Sequence, residues 1–178
     1  MADCTKYLAA LDKPAGASRA YKARHFMKEP GHVPMELTTG ARERRPDQIG
    51  MEKDRKTIAI IDDDNGIRQA LKRMLNTAGF TVHMYASAEE FLDAIDTCPA
   101  GCAVVDLELG QMSGFELACH PAMVAAKLPI IFISGTADET ARASAMALGC
   151  VEYLRKPFMP IELLGAVFRA IQEPPQTA

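Results

Sequence analysis

The sequence contains no apolar run approaching the roughly 20 residues that a membrane-spanning helix needs. Its opening stretch, Met1 to Asp12, carries no apolar core of signal-peptide length. Both absences point to a cytoplasmic protein. Five cysteines are present, Cys4, Cys98, Cys102, Cys119 and Cys150. They form no Cys-x-x-Cys pair and no Cys/His set at zinc-finger spacing, and an odd number so placed reads as free thiols in a reducing compartment. No internal repeat is present.

Positive charge is scarce where the sequence is patterned. Residues 57–178 hold 8 Lys+Arg against 15 Asp+Glu, whereas residues 1–56 hold 12 against 8. The acidic part lacks the basic footprint with which a protein tracks a phosphate backbone, which argues against direct nucleic-acid binding. A chain of 178 residues, 48% hydrophobic and 24% charged, has room for one soluble domain and an appendage.

The appendage is residues 1–55, expected to be a poorly ordered basic extension. Pro14, Pro30, Pro34 and Pro46 interrupt any periodicity, and the cluster Arg42–Arg45 reads as solvated charge. A short basic helix over Ala17–Glu29 and a partner-binding or membrane-binding arm are the alternatives to disorder. Met51, just ahead of the first strand, is an alternative start.

From Thr57 the pattern becomes regular, and residues 56–172 read as one domain followed by a tail over 173–178. Thr57–Ile61 is an apolar strand stopped by Asp62, Asp63 and Asp64. Asp64 or Asn65 can cap a helix striped by Ile67, Leu71, Met74 and Ala78. Strands are expected at Thr81–Met84, Cys102–Val105, Pro129–Ile133 and Val151–Leu154. Ser87 with Glu90 and Ser113 with Glu116 have capping-box spacing for the second and third helices. Pro121 should kink or end the third. Asp138 can cap a fourth helix reaching Leu148, and Ile161, Leu164, Phe168 and Ile171 stripe a fifth. Strands alternating with helices predict an α/β fold: a flavodoxin-like, doubly wound five-stranded parallel sheet of order 2-1-3-4-5 with helices on both faces.

That order has a chemical consequence. Asp62 and Asp63 end strand 1 and Asp106 ends strand 3, so as neighbours they would lie about 4.8 Å apart. Three carboxylates at one rim cannot all stay ionised without a positive partner, and a hard divalent cation such as Mg2+ suits them. Ser134 ends strand 4 and Lys156 ends strand 5 on the same rim. A hydroxyl and an ammonium there are what a phosphoryl group on an aspartate would need. Singly, each has a plain structural explanation: a helix cap, a turn serine, a surface lysine. Their shared position favours a site.

Residues 57–172 resemble a receiver domain of two-component response regulators, such as the single-domain chemotaxis and nitrogen-fixation regulators. The likeness rests on Ile60-Ile61-Asp62-Asp63, Asp106 within Val104–Leu109, Gly114, Ser134-Gly135, Tyr153 and Lys156-Pro157-Phe158. It implies Asp106 as phospho-acceptor, and Asp63 and Asp106 as direct Mg2+ ligands with the Glu108 backbone carbonyl. Asp62 would act through water. It further implies Ser134 and Lys156 as phosphoryl-binding groups, a cis bond before Pro157, and Tyr153 as the aromatic whose rotamer follows Ser134. Gly135, lacking a side chain, should leave the phosphoryl group open to attack. Gly110 departs from the family's usual proline.

The expected function is that of a stand-alone receiver taking a phosphoryl group from a sensor histidine kinase or His-phosphotransfer protein. Only residues 172–178 follow Ile171, so output is expected through protein contacts on the face of helix 4, strand 5 and helix 5, or the protein is a relay. No enzymatic activity is expected beyond its own phosphorylation and dephosphorylation. A monomer or a phosphorylation-dependent dimer is expected. Two other classes compete: a phosphorylation-independent adaptor, and an aspartyl-nucleophile phosphohydrolase. The hydrolases resemble Asp-x-Asp, whereas Glu108 stands two residues after Asp106 here.

Overall fold

A computed structural model of the protein describes residues 54–172. The expected extension, apart from its last two residues, lies outside the described residues, as do Ala17–Glu29, Met51 and the tail. Five parallel strands form the sheet: β1 Asp54–Ile61, β2 Thr81–Tyr85, β3 Ala100–Asp106, β4 Ile130–Ser134 and β5 Glu152–Arg155. Their order is β2-β1-β3-β4-β5, the flavodoxin-like arrangement read from the sequence. Six helices connect and follow them: α1 Asn65–Thr77, α2 Ala88–Ala94, α3 Gly114–Cys119, α4 Pro121–Ala126, α5 Glu139–Ala147 and α6 Pro160–Gln172.

The sheet is apolar on both faces because each face meets helices. Ile58 and Ile60 of β1, with Val104, Ile131 and Ile133, pack on Leu71 and Leu75 of α1 and Leu163 and Val167 of α6. The alternating residues Ala59 and Ile61, with Val105 and Phe132, pack on Phe91, Phe115, Leu117 and Met123 of α2, α3 and α4. Every residue of β3 is buried. Burying one large apolar side chain stabilises the fold by about 1.5–3 kcal/mol, so the central strands are the fixed frame of the molecule. None of Cys98, Cys102, Cys119 and Cys150 is in a disulfide. Among the described residues, no helix is long and apolar enough to cross a membrane.

Two details differ from, or sharpen, the sequence reading. β1 begins at Asp54 rather than Thr57, because tertiary pairing of Asp54 with Ala100 of β3 extends the ladder into charged residues with poor strand propensity. The third helix is two helices. His120, which precedes a proline, is held extended at φ −65° and ψ 137°. Pro121 then opens α4, where its missing N–H would have no partner in any case, and His120 Nδ1 accepts from the Ala122 N–H. Ser113 and Glu116 form a full capping box. At Ser87 only half of one exists: its hydroxyl accepts from the Glu90 N–H, while the Glu90 carboxylate accepts from Ala86 instead.

Candidate functional site

Register, more than any single residue, builds the site. Ile61 pairs with Val105, so the next residues, Asp62 and Asp106, emerge side by side. Asp106 pairs in turn with Ile133, and Ser134 with Arg155, which puts Ser134 and Lys156 one step further along the same rim. Backbone bonds carry the ladder past the strand ends, from Leu107 N–H to Ile133 O at 3.0 Å and from Lys156 N–H to Ser134 O at 2.7 Å.

The carboxylates converge on a common point. One oxygen each from Asp62, Asp63 and Asp106 lies within 4.8 Å of the others. Lys156 Nζ bridges two of them, 3.0 Å from Asp62 Oδ2 and 2.6 Å from Asp106 Oδ2. Asp62 is fully buried and Asp106 nearly so, whereas Asp63 faces solvent. The remaining oxygens are also used: Asp62 Oδ1 accepts from the Asp64 N–H at 2.8 Å, and Asp106 Oδ1 from the Glu108 N–H at 3.3 Å. The Glu108 side chain is exposed. Burial pushes the Asp62 carboxyl above the ordinary carboxylate range, and the hydrogen bonds from Lys156 and Asp64 only partly offset it. For Lys156 burial acts downward, but Asp106 and Asp62 outweigh it and hold the ammonium above its ordinary value.

This donor set fits a hard divalent cation. It is all oxygen, and three carboxylates with one ammonium leave an excess of two negative charges, the charge that Mg2+ cancels. The side of the rim formed by Asp63 is open, so a bound ion there would keep water ligands, as Mg2+ favours.

The Ser134 side of the rim is built differently. Ser134 is fully buried, and its Oγ accepts from the Thr136 N–H at 3.1 Å and lies 3.0 Å from Thr136 Oγ1. Gly135 is exposed, and a Cβ added there would meet nothing within 4 Å. Tyr153 is packed inward beside Phe132, and its buried hydroxyl meets no hydrogen-bond partner among the described residues. The Lys156–Pro157 peptide is cis. Gly110 sits at φ +80°, a conformation closed to proline, whose ring fixes φ near −65°. The loop after β3 therefore follows a path that a proline at this position would forbid.

Arg68 and Thr136, which the sequence reading gave no role, and Gly114, which it used only for the family likeness, join the site. Arg68, one turn into α1, donates through Nη1 to the Asp62 carbonyl at 2.6 Å. Gly114 lies so close to the strand end that a Cβ would fall 2.3 Å from the Asp106 carbonyl oxygen, nearer than real side chains come. Thr136 holds Ser134. Only Thr136 had a readable signal, since Ser-x-Thr spacing permits a hydroxyl-centred turn; the other two contacts depend on tertiary placement.

The protein family described as the response regulator receiver domain matches residues 58–168. The response regulator protein TmoT of Ectopseudomonas mendocina is 34% identical over 134 residues, covering 74% of this chain and 61% of that protein. The transcriptional regulatory protein FixJ of Bradyrhizobium diazoefficiens is 34% identical over 116 residues, covering 65% of this chain and 57% of that protein. The chain thus spans between about half and three fifths of the curated relatives it matches. Among solved structures, FixJ-N superposes with a TM-score of 0.62 at 35% identity, covering 66% of this chain and 94% of that one. A CheY-like receiver domain protein from Methanospirillum hungatei gives a TM-score of 0.59 at 28% identity, covering 65% and 93%. The matched segment takes in all but the start of the sheet and every rim residue described above: the chain belongs to the response regulator receiver family of two-component systems.

Proposed function

We propose that the protein is a phosphorylation switch in which Asp106 accepts a phosphoryl group from a phosphohistidine on a sensor kinase or His-phosphotransfer protein. The observation that carries this reading is the Lys156 ammonium shared by Asp106 and Asp62, with Asp63 completing a cluster of carboxylates. An Asp106 carboxylate oxygen attacks phosphorus, the P–N bond breaks, and the imidazole nitrogen leaves with the electron pair. The product is an acyl phosphate on Asp106. Mg2+, held by Asp63, Asp106 and the Glu108 carbonyl and by Asp62 through water, would supply positive charge to the phosphoryl oxygens when bound. Lys156 then transfers a hydrogen bond from the carboxylate to a phosphoryl oxygen, and Ser134 donates to another.

The added charge, about −1.5 to −2 by analogy with phosphate monoesters, is the input of the switch. Its mechanical output runs through Ser134 to Tyr153. Ser134 moves toward the phosphoryl group and draws the β4–α5 loop inward, which frees space for Tyr153, already packed inward with a hydroxyl whose missing partner costs about 1–3 kcal/mol. A near-complete switch needs roughly 5.5 kcal/mol of differential interaction, which the new contacts of Ser134 and Lys156 must supply together.

The readout face is α5, β5 and α6, the expected helix 4, strand 5 and helix 5 once the third helix is counted as two. A shallow groove there is lined by Tyr153, Arg155, Phe158 and Ile161 and flanked by the Arg169–Glu152 ion pair at 2.7 Å. Ile161 and Met159 are largely exposed beside it, which suits a protein partner or a second copy of the chain. The protein works in the cytoplasm, where kinase domains deliver the phosphoryl group, and catalyses nothing beyond its own phosphorylation and dephosphorylation. The naming of FixJ as a transcriptional regulatory protein supports gene control as the process served. The acidic domain itself makes no direct contact with nucleic acid.

Incubation with acetyl phosphate and Mg2+ should add one acid-labile, hydroxylamine-labile phosphate per chain to the wild type. Asp106→Asn should take up none. Equal labelling of that variant would refute the acceptor assignment.

A further inference from the structure

The Ser134 hydroxyl has one proton to give and two lone pairs to fill. Thr136 engages it twice, through its N–H at 3.1 Å and through its hydroxyl at 3.0 Å. The first bond is ordinary turn chemistry. The second is not required by the turn: it depends on residue 136 carrying a hydroxyl. If Ser134 donates, its one proton is committed to Thr136; if Thr136 donates, both Ser134 lone pairs are filled and its proton is free. In either case the two bonds hold the Oγ, and with it the side-chain torsion, within its own loop.

The backbone of Ser134 cannot move to solve this. It belongs to β4, between Ile133 in the core and the bond from Lys156 N–H to its carbonyl. Only its side-chain torsion and the loop beyond it are free to change. Thr136 is exposed, and Gly135 beside it has open space around it, so the loop has room to follow or to let go. For the Ser134 side chain to turn toward a phosphoryl oxygen on Asp106, the hydroxyl–hydroxyl bond must break or Thr136 must be carried inward with it.

We propose that Thr136 is a positioning residue that latches Ser134 in the unphosphorylated arrangement and so sets the threshold of the switch. It touches neither metal nor phosphoryl group; it acts through Ser134. This rests on Asp106 being the acceptor. Removing the latch hydroxyl while keeping the backbone bond shifts the balance by the worth of one neutral hydrogen bond, roughly three- to tenfold in an equilibrium constant.

The test is binding of beryllofluoride, a phosphoryl mimic, to the full chain at saturating Mg2+, followed by amide NMR shifts of Gly135 and Tyr153. Thr136→Val should bind the mimic three- to tenfold more tightly than wild type, and Thr136→Ser should behave as wild type. The affinity for Mg2+ alone should be the same in all three. In a Ser134→Ala background, Thr136→Val should have no effect on the mimic. Unchanged or weaker mimic binding by Thr136→Val overturns the latch, as does a parallel change in Mg2+ affinity or an effect that survives in Ser134→Ala. Mimic binding that is no different in Asp106→Asn instead overturns the acceptor assignment, and the latch with it.

Discussion

Two loops at the same rim are held in opposite ways. The β1–α1 loop, Asp62 to Asp64, is tied from several directions. Asp62 N–H donates to Tyr85 O, its carbonyl accepts from Arg68, and its carboxylate accepts from both Lys156 and Asp64. Asp64 then caps α1 through bonds of 2.6 and 3.1 Å. The β4–α5 loop, from Ser134 to Asp138, has side-chain bonds mainly to itself: Ser134 with Thr136, and Asp138 to the Thr140 N–H. The Asp62–Asp64 half of the rim is therefore preorganised, which would lower the ordering cost of binding a cation. The Ser134 half is held locally and is the softer of the two.

The contrast can be broken most severely at Gly114. Placing Ala there drives a Cβ into the Asp106 carbonyl, which is backbone and cannot rotate away. We expect a loss of about 3 kcal/mol in urea unfolding, together with weakened Mg2+ binding. Full retention of both would show that the acceptor loop is not rigid.

Asp62→Asn separates stability from function. Because the folded-state carboxyl titrates above its ordinary value of 3.8, the native state keeps a proton that the unfolded chain releases. Stability therefore falls as pH rises through that window, and the cost is complete at neutral pH. The variant should gain on the order of 1 kcal/mol at neutral pH without divalent ions, lose the gain below the ordinary carboxyl range, and bind Mg2+ poorly. Thermal unfolding across pH, with and without Mg2+, checks all three. A variant less stable than wild type at neutral pH would reverse the sign assigned to burial.

Arg68→Met tests the pinning more gently. It removes the bond to the Asp62 carbonyl while keeping the apolar stem, and Mg2+ affinity should fall several-fold with beryllofluoride affinity following it. Calorimetric titration would read this, and an unchanged affinity would exclude Arg68 from the site. The mildest probe needs no substitution. The Asp64 amide, bonded to a buried carboxylate, should exchange with solvent a few-fold more slowly than the Thr136 amide. Equal rates would mean the two loops are equally stiff.

The architecture was legible because its cause is local. Apolar runs such as Ile58–Ile61 and Ala103–Val105 fix the strands, alternation with helical stripes fixes the class, and the strand order brings the acids to one rim. Pro121 was legible too, since a proline restricts its predecessor wherever the chain goes. The start of β1 was not, because Asp54 pairs only where β3 offers an edge. Arg68 was illegible for a similar reason, and Gly114 was legible only as part of a family likeness and not for its contact. An arginine one turn into a helix, or a glycine at a helix start, gains its role only from the backbone that the fold brings beside it.

The unpartnered hydroxyl of Tyr153 has a practical side. The chain has no tryptophan and four tyrosines, so tyrosine dominates its near-ultraviolet absorbance. Of the two tyrosines among the described residues, Tyr85 is fixed, donating to Cys98 and meeting the Phe91 ring edge-on at 5.0 Å. Tyr153 has a buried, unanchored phenol on β5. A change in the surroundings of that phenol would therefore write itself into the protein's own ultraviolet difference spectrum, giving the proposed switch a built-in chromophore.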